Sequence, residues 1–292
     1  MKKFQGIYTA LVTPFTAEGK INADALQKLT ERNLKDGVSG FYVSGSTGES
    51  YMLSMAERKY LLEAVKEVVG DKADVIVNIG MFATEHSLEL AKHASEQGVA
   101  AISSVPPFYF PFTMKELFLY YEELADKVDV PVIVYNIPAM SSVHFGTEDL
   151  RRLLKHNNIA GIKHTSYDLF QLQQIVEEYP QKSIFIGHDE LFLSALSVGV
   201  EAGIGSTFNI MPGKFVKMME CFQKKDMEQA LKLQGEVNGV VSALCKVGVF
   251  KGVKAILRMQ GIDCGECRKP FVPLDAEQLQ LLKTAAEKGG IL

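Results

Sequence analysis

A chain of 292 residues, 47% hydrophobic and 23% charged, has ample material for a core, and its length alone allows one large domain or two. A net charge of -4 with no block of Lys or Arg argues against a nucleic-acid or anionic-membrane surface, since both need a basic patch, and so favours a small-molecule partner. Four cysteines, Cys221, Cys245, Cys264 and Cys267, are too few and too C-terminal for a disulfide scaffold, which fits a reducing cytoplasm.

The opening residues Met1-Lys2-Lys3-Phe4 are like the charged start of a signal peptide. The apolar run behind them is brief and broken at Thr13-Pro14, and neither a cleavage site nor a membrane span follows. Short apolar, β-rich runs then recur at 7–12, 40–43, 75–79, 101–105, 132–135, 160–163, 184–186 and 203–205. The stretches between them carry helix-start chemistry: Ser54-x-x-Glu57 and Thr113-x-x-Glu116 read as capping boxes, and Thr147-Glu148-Asp149 as a cap with an acidic first turn. Strand then helix, repeated eight times, predicts an α/β fold of the (β/α)8 TIM barrel type. A doubly wound sheet is the alternative, but no strand-adjacent G-x-G-x-x-G with a following acid is found. Past residue 225 the pattern is helix only, over 226–244, 249–259 and 275–292. This predicts a barrel over 1–224 and a C-terminal helical extension over 225–292 packed on it, with no Pro-, Gly- or Ser-rich linker between them.

In such a barrel, chemistry gathers at the C-terminal ends of the strands. The second run leads into Gly45-Ser46-Thr47-Gly48-Glu49, a tight turn whose backbone N–H groups and two hydroxyls suit an anion. Without the G-K-[ST] of a nucleotide loop, a carboxylate fits it better than a polyphosphate. Tyr135 ends the fifth run, where a tyrosine is ordinarily a packed ring with a wet hydroxyl; beside a reactive lysine the same phenol serves as a proton shuttle. The sixth run ends Gly161-Ile162-Lys163-His164-Thr165-Ser166. A lysine buried there is costly as an ammonium, and as a neutral amine it is a nucleophile that forms an imine with a ketone, without metal or cofactor. The plain alternative is a lysine that snorkels out of a strand end.

After the seventh and eighth runs, Gly187-His188-Asp189-Glu190 and Gly205-Ser206-Thr207 supply acceptors and hydroxyls that would grip a polyol. An acidic pair at a helix start also has the ordinary explanation of charge that favours the helix dipole. The six histidines show no H-E-x-x-H spacing, and Cys264-Gly265-Glu266-Cys267 is a lone C-x-x-C that reads as a turn between helices, so no metal is expected.

At these residues the chain resembles the pyruvate-dependent class I aldolases, the family that includes dihydrodipicolinate synthase and N-acetylneuraminate lyase. Gly45-Ser46-Thr47-Gly48-Glu49, Tyr135-Asn136-Ile137-Pro138-Ala139, Gly161-Ile162-Lys163-His164-Thr165-Ser166 and Gly205-Ser206-Thr207 stand in the family's order and at its spacing, and the resemblance runs essentially end to end. Ile137-Pro138-Ala139-Met140-Ser141 lacks the arginine with which the synthases bind a dicarboxylate. Asp189-Glu190, Cys267-Arg268-Lys269-Pro270-Phe271 and Pro107-Phe108-Tyr109-Phe110-Pro111 are similar to the lyase branch.

The resemblance implies a Schiff-base aldolase that splits N-acetylneuraminate into N-acetylmannosamine and pyruvate. It implies that Lys163 attacks the keto carbon of the open-chain 2-keto sugar acid, that Ser46 and Thr47 hold the carboxylate, and that Tyr135 shuttles the proton as the C3–C4 bond breaks. The sugar tail then falls to Thr165, Gly187, Asp189, Glu190 and Ser206. Tyr109 becomes a phenol supplied by a neighbouring subunit of a homo-oligomer, typically a homotetramer. Three departures from the family pattern bear on the sugar: His188 stands where an aromatic is usual, and Phe110 and Phe208 replace tyrosines.

Overall fold

Each of the eight apolar runs is a strand: β1 (Gly6–Ala10), β2 (Gly40–Val43), β3 (Asp74–Asn78), β4 (Ala101–Ser104), β5 (Val132–Asn136), β6 (Ile159–His164), β7 (Ser183–Ile186) and β8 (Ala202–Gly205). The structure, a computed structural model, describes residues 3–292, so Met1 and Lys2 of the signal-like start lie outside the described residues. All pairings are parallel and follow sequence order, and β1 pairs with β8 to close the barrel. Parallel neighbours need a crossover between them. The crossovers are α1 (Ala23–Lys35), α2 (Met55–Val69), α3 (Thr84–Glu96), α4 (Met114–Lys127), the one-turn α5 (Pro138–Ser141) with α6 (Thr147–Leu154), α7 (Leu169–Glu178) and the short α8 (Phe192–Ser197), and α9 (Pro212–Gln223) follows β8.

Strand alternation sorts the side chains into two cores. Val132 and Val134 of β5 point outward into the large apolar layer beneath the helices, whereas Ile133 and Tyr135 point into the barrel with Tyr8, Tyr42, Ile76, Phe185 and Ile204. On β6, Ile162 faces outward. Lys163, one residue on, therefore faces the lumen.

Both predicted capping boxes form: Ser54 and Glu57 exchange hydrogen bonds at the start of α2, and Thr113 and Glu116 do so at α4. The cap expected at Thr147 does not. Gly146 takes the extended cap position, and its N–H donates to Asp149 Oδ2 at 2.8 Å, so Thr147 becomes the first helical residue. The Asp149 carboxylate, three positions in, thus satisfies the N–H of the cap residue itself rather than one inside the first turn.

Beyond the barrel, α10 (Met227–Val247), α11 (Val249–Met259) and α12 (Ala276–Lys288) pack on one another, and α10 also packs on α9. Cys264 and Cys267 lie in the irregular segment between α11 and α12 as buried free thiols, each pushed up to about 12 by that burial. Among the described residues no helix is long and apolar enough to cross a membrane.

Candidate active site

Lys163 is only 4% exposed, at the C-terminal end of β6. Register sets Tyr135 of β5 directly beside it. The Lys163 Nζ lies 4.0 Å from the centroid of the Tyr135 ring and 4.3 Å from that of Tyr42, and the two rings meet edge to face. Aromatic faces attract positive charge, so this pair suits a cation such as an iminium formed on that nitrogen. Tyr42 donates to Ser103 Oγ at 3.1 Å, and burial, followed by its neighbour Tyr135, holds its phenol well above the ordinary value. Sequence reasoning missed Tyr42, because a tyrosine in a buried strand carries no signal beyond packing.

The loop after β2 brings Ser46 and Thr47 to the same mouth. Its Gly48 and Glu49 amides close turns onto Gly45 O and Ser46 O, so these two N–H groups are not free for an anion as the sequence suggested. The hydroxyls remain: Thr47 Oγ1 and Ser206 Oγ are 2.7 Å apart and join the loops after β2 and β8.

A cavity of about 430 Å³ opens above the lysine. Its lining includes Ser46, Thr47, Tyr135, Lys163, Thr165, Gly187, Asp189, Glu190 and Ser206, so every candidate named from the sequence apart from Tyr109 meets in one place. Thr165 Oγ1 is buried and, among the described residues, has no hydrogen-bond partner. Gly187 makes that position possible, since a Cβ there would come within 1.9 Å of the same hydroxyl. Gly205 plays the matching part for Asp189, whose Oδ1 would lie 2.2 Å from an added Cβ.

The two acids differ. Asp189 is buried and spends Oδ2 on Thr207, accepting from its N–H at 2.8 Å and its hydroxyl at 2.7 Å. Burial pushes its carboxyl up to about 6, against the pull of those hydrogen bonds. Glu190 is half-buried and accepts from Tyr167 OH at 3.0 Å, with His188 Nδ1 at 3.1 Å. Burial would raise it, but the His188 and Tyr167 contacts prevail and hold it below the usual range. The Tyr167 and His188 rings stack 4.2 Å apart, forming a flat wall where the sequence showed only an unusual histidine. Behind β6, His164 approaches Asn136 Nδ2 at 3.2 Å through Nδ1, and burial lowers it to about 4, so it stays neutral.

Val241, Leu244, Cys245, Phe250 and Phe271 also line the cavity, so its wall extends past residue 224 into α10, α11 and the segment before α12. The apolar helical spacing of Val241, Leu244, Cys245 and Phe250 reads as core, and nothing in the sequence marks these four as site residues. Tyr109 is 75% exposed, away from Lys163, in an edge-to-face ladder with Phe82 and Phe110. Phe208 packs on Phe192 and Phe215 outside the lining. Among the described residues no group of three or more His, Cys, Asp or Glu side chains is arranged to hold a metal ion.

A closed parallel barrel with a buried lysine amine at the floor of a hydroxyl-lined cavity defines a (β/α)8-barrel enzyme of the lysine-centred kind. The chain belongs to the dihydrodipicolinate synthetase family, whose pattern residues 3–288 match. It is 38% identical over 289 residues to the N-acetylneuraminate lyase of Salmonella typhimurium, covering 98% of this chain and 97% of that one. A sialic acid aldolase of Ruminococcus gnavus, solved as a catalytic lysine mutant, superposes with a TM-score of 0.94 at 31% identity, over 98% of this chain and 96% of that one. A dihydrodipicolinate synthase of Bacillus anthracis superposes with a TM-score of 0.95 at 30% identity, over 98% of this chain and 99% of that one. The barrel is thus common to both activities, and the cavity has to distinguish them.

Proposed function

We propose that this protein is a class I aldolase, a carbon–carbon lyase that cleaves N-acetylneuraminate to N-acetylmannosamine and pyruvate. The observation that carries the reading is the Lys163 amine, buried between two tyrosine faces at the floor of a cavity whose rim offers hydroxyls and acids. In this reading the Lys163 amine adds to the keto carbon of the open-chain substrate and water leaves, giving an iminium. The Ser46 and Thr47 hydroxyls hold the substrate carboxylate. Tyr135, beside the new C=N bond, takes the proton of the C4 hydroxyl as the C3–C4 bond breaks and returns it to the pyruvate enamine. Hydrolysis then frees pyruvate and regenerates the amine. The tail of the sugar meets Thr165, the Gly187 carbonyl, Asp189, Glu190 and Ser206.

The lyase reading is favoured over the synthase one by what lines the cavity. Ile137 and Met140 occupy the stretch where the synthases carry an arginine, and among the described residues no arginine reaches the lining. Glu190 would repel a second acid group on the substrate and accept from sugar hydroxyls. The exposed aromatic ladder through Phe82, Tyr109 and Phe110 supports assembly, in the cytoplasm, into a homotetramer in which Tyr109 contributes to a neighbour's site. Purified protein given N-acetylneuraminate should release pyruvate, whereas Lys163→Arg should release none, because an always-charged guanidinium cannot form the imine. Faster condensation of pyruvate with aspartate semialdehyde than cleavage of the sugar acid would overturn the lyase reading.

A further inference from the structure

Two residues with left-handed backbones, Ser44 (φ 54) and Glu49 (φ 58), bracket the Gly45–Gly48 loop that carries Ser46 and Thr47. A non-glycine residue there is strained by roughly 1–3 kcal/mol and persists only where its surroundings fix it. At the Ser44 end, Asn78 Nδ2 donates to Ser44 O at 2.8 Å, and at the other end Thr13 Oγ1 donates to Gly48 O at 2.6 Å. The Glu49 side chain is held from outside the barrel. Glu49 Oε1 accepts from Lys254 Nζ of α11 at 2.7 Å, and Oε2 accepts from the Arg268 N–H at 2.8 Å. The ion pair is sealed, with side-chain exposures of 2% for Lys254 and 0% for Glu49. Lys254 also donates to Glu266 O at 3.2 Å and lies 4.3 Å from the Phe15 ring centroid. Arg268 reaches on to Met52 O and the Glu57 carboxylate.

A buried ion pair is weak as a source of net stability, because desolvation of both charges offsets their attraction. Its effect here is geometric: it fixes the far end of a strained loop two residues from Thr47. We infer that Lys254 and Glu49 are positioning residues for substrate carboxylate recognition, holding Ser46 and Thr47 at the height of the Lys163 amine from the C-terminal helices. The inference rests on the proposed imine reading, and it makes those helices part of carboxylate binding.

The test compares borohydride trapping at Lys163 in the wild type, Lys254→Met, Glu49→Gln and the double variant. One arm titrates pyruvate and the other titrates hydroxyacetone, a ketone without a carboxylate. In the variants the half-saturating pyruvate should rise by roughly ten- to a hundredfold, the scale of a misplaced binding group. Hydroxyacetone trapping should stay at the wild-type level. Equal losses with both ketones would assign the pair to folding and overturn the inference, as would pyruvate saturation unchanged from wild type. The double variant guards against misfolding of the single ones, since it removes both charges at similar volume. Its failure to fold would likewise assign the pair to folding and overturn the inference. A wild type that traps no pyruvate would refute the imine reading itself, a different result from variants that trap it normally.

Discussion

At the scale of single residues, the chemistry depends on a lysine whose amine lies against two tyrosine rings, with the Asp189 carboxyl near enough to feel its charge. Among the described residues no ion pair engages Lys163, and its Nζ lies over the faces of Tyr42 and Tyr135. Tyr135→Phe keeps one of those faces but removes the proton, so kcat should fall by roughly 10² or more with the pyruvate adduct still forming, as single-turnover trapping can verify. Tyr42→Leu tests the other face: losing a desolvated cation–π contact of about 1–2 kcal/mol should lower imine occupancy about five- to thirtyfold in pyruvate titrations. Normal occupancy in that variant would reduce Tyr42 to a packing residue. The lysine and Tyr135 were legible in the sequence because polar groups that end apolar runs stand out. Tyr42 sits inside its run and did not.

At the scale of elements, the loops after β6, β7 and β8 divide the work of holding a polyol. Asp189 is tied to Thr207 and shapes the loop after β8, while Glu190 keeps Oε2 clear of the Tyr167 and His188 contacts on Oε1. Glu190→Gln should therefore lower kcat/KM for N-acetylneuraminate by roughly 10- to 100-fold, the worth of a charge-assisted hydrogen bond, and leave pyruvate trapping at Lys163 intact. Equal damage to both would move Glu190 from tail recognition to the imine step. The strand order and the starts of α2, α4 and the three C-terminal helices could be read from periodicity and caps, since both are local signals. The contribution of α10 and α11 to the cavity wall could not, because Val241, Leu244 and Phe250 look like any apolar helical face until the helix is docked. The Tyr167–His188 stack was equally hidden: its rings are far apart in sequence and meet only when β6 and β7 pair.

At the scale of the whole molecule, two buried groups pull acid stability in opposite directions. His164 falls from 6.5 to about 4 in the fold, so its contribution is complete above the unfolded value and is lost as pH drops through 6.5 toward 4. Asp189 rises from 3.8 to about 6, so its burial penalty is relieved as pH drops through 6 toward 3.8. Between neutral pH and about pH 5, His164→Asn should lose about 2 kcal/mol less stability than wild type, and Asp189→Asn about 1 kcal/mol more, in urea titrations at equal protein concentration. The aromatic ladder through Tyr109 predicts a stable oligomer, which light scattering would contradict by finding an active monomer. In the proposed reaction Lys163 carries pyruvate as an imine cut from N-acetylneuraminate. The most direct measurement is to incubate the protein with N-acetylneuraminate and borohydride and map the modified peptide. A reduced pyruvate adduct is expected on Lys163 alone, with N-acetylmannosamine released. An adduct on Lys254 or any other lysine, or sugar cleaved with Lys163 unmodified, would contradict the proposed reaction.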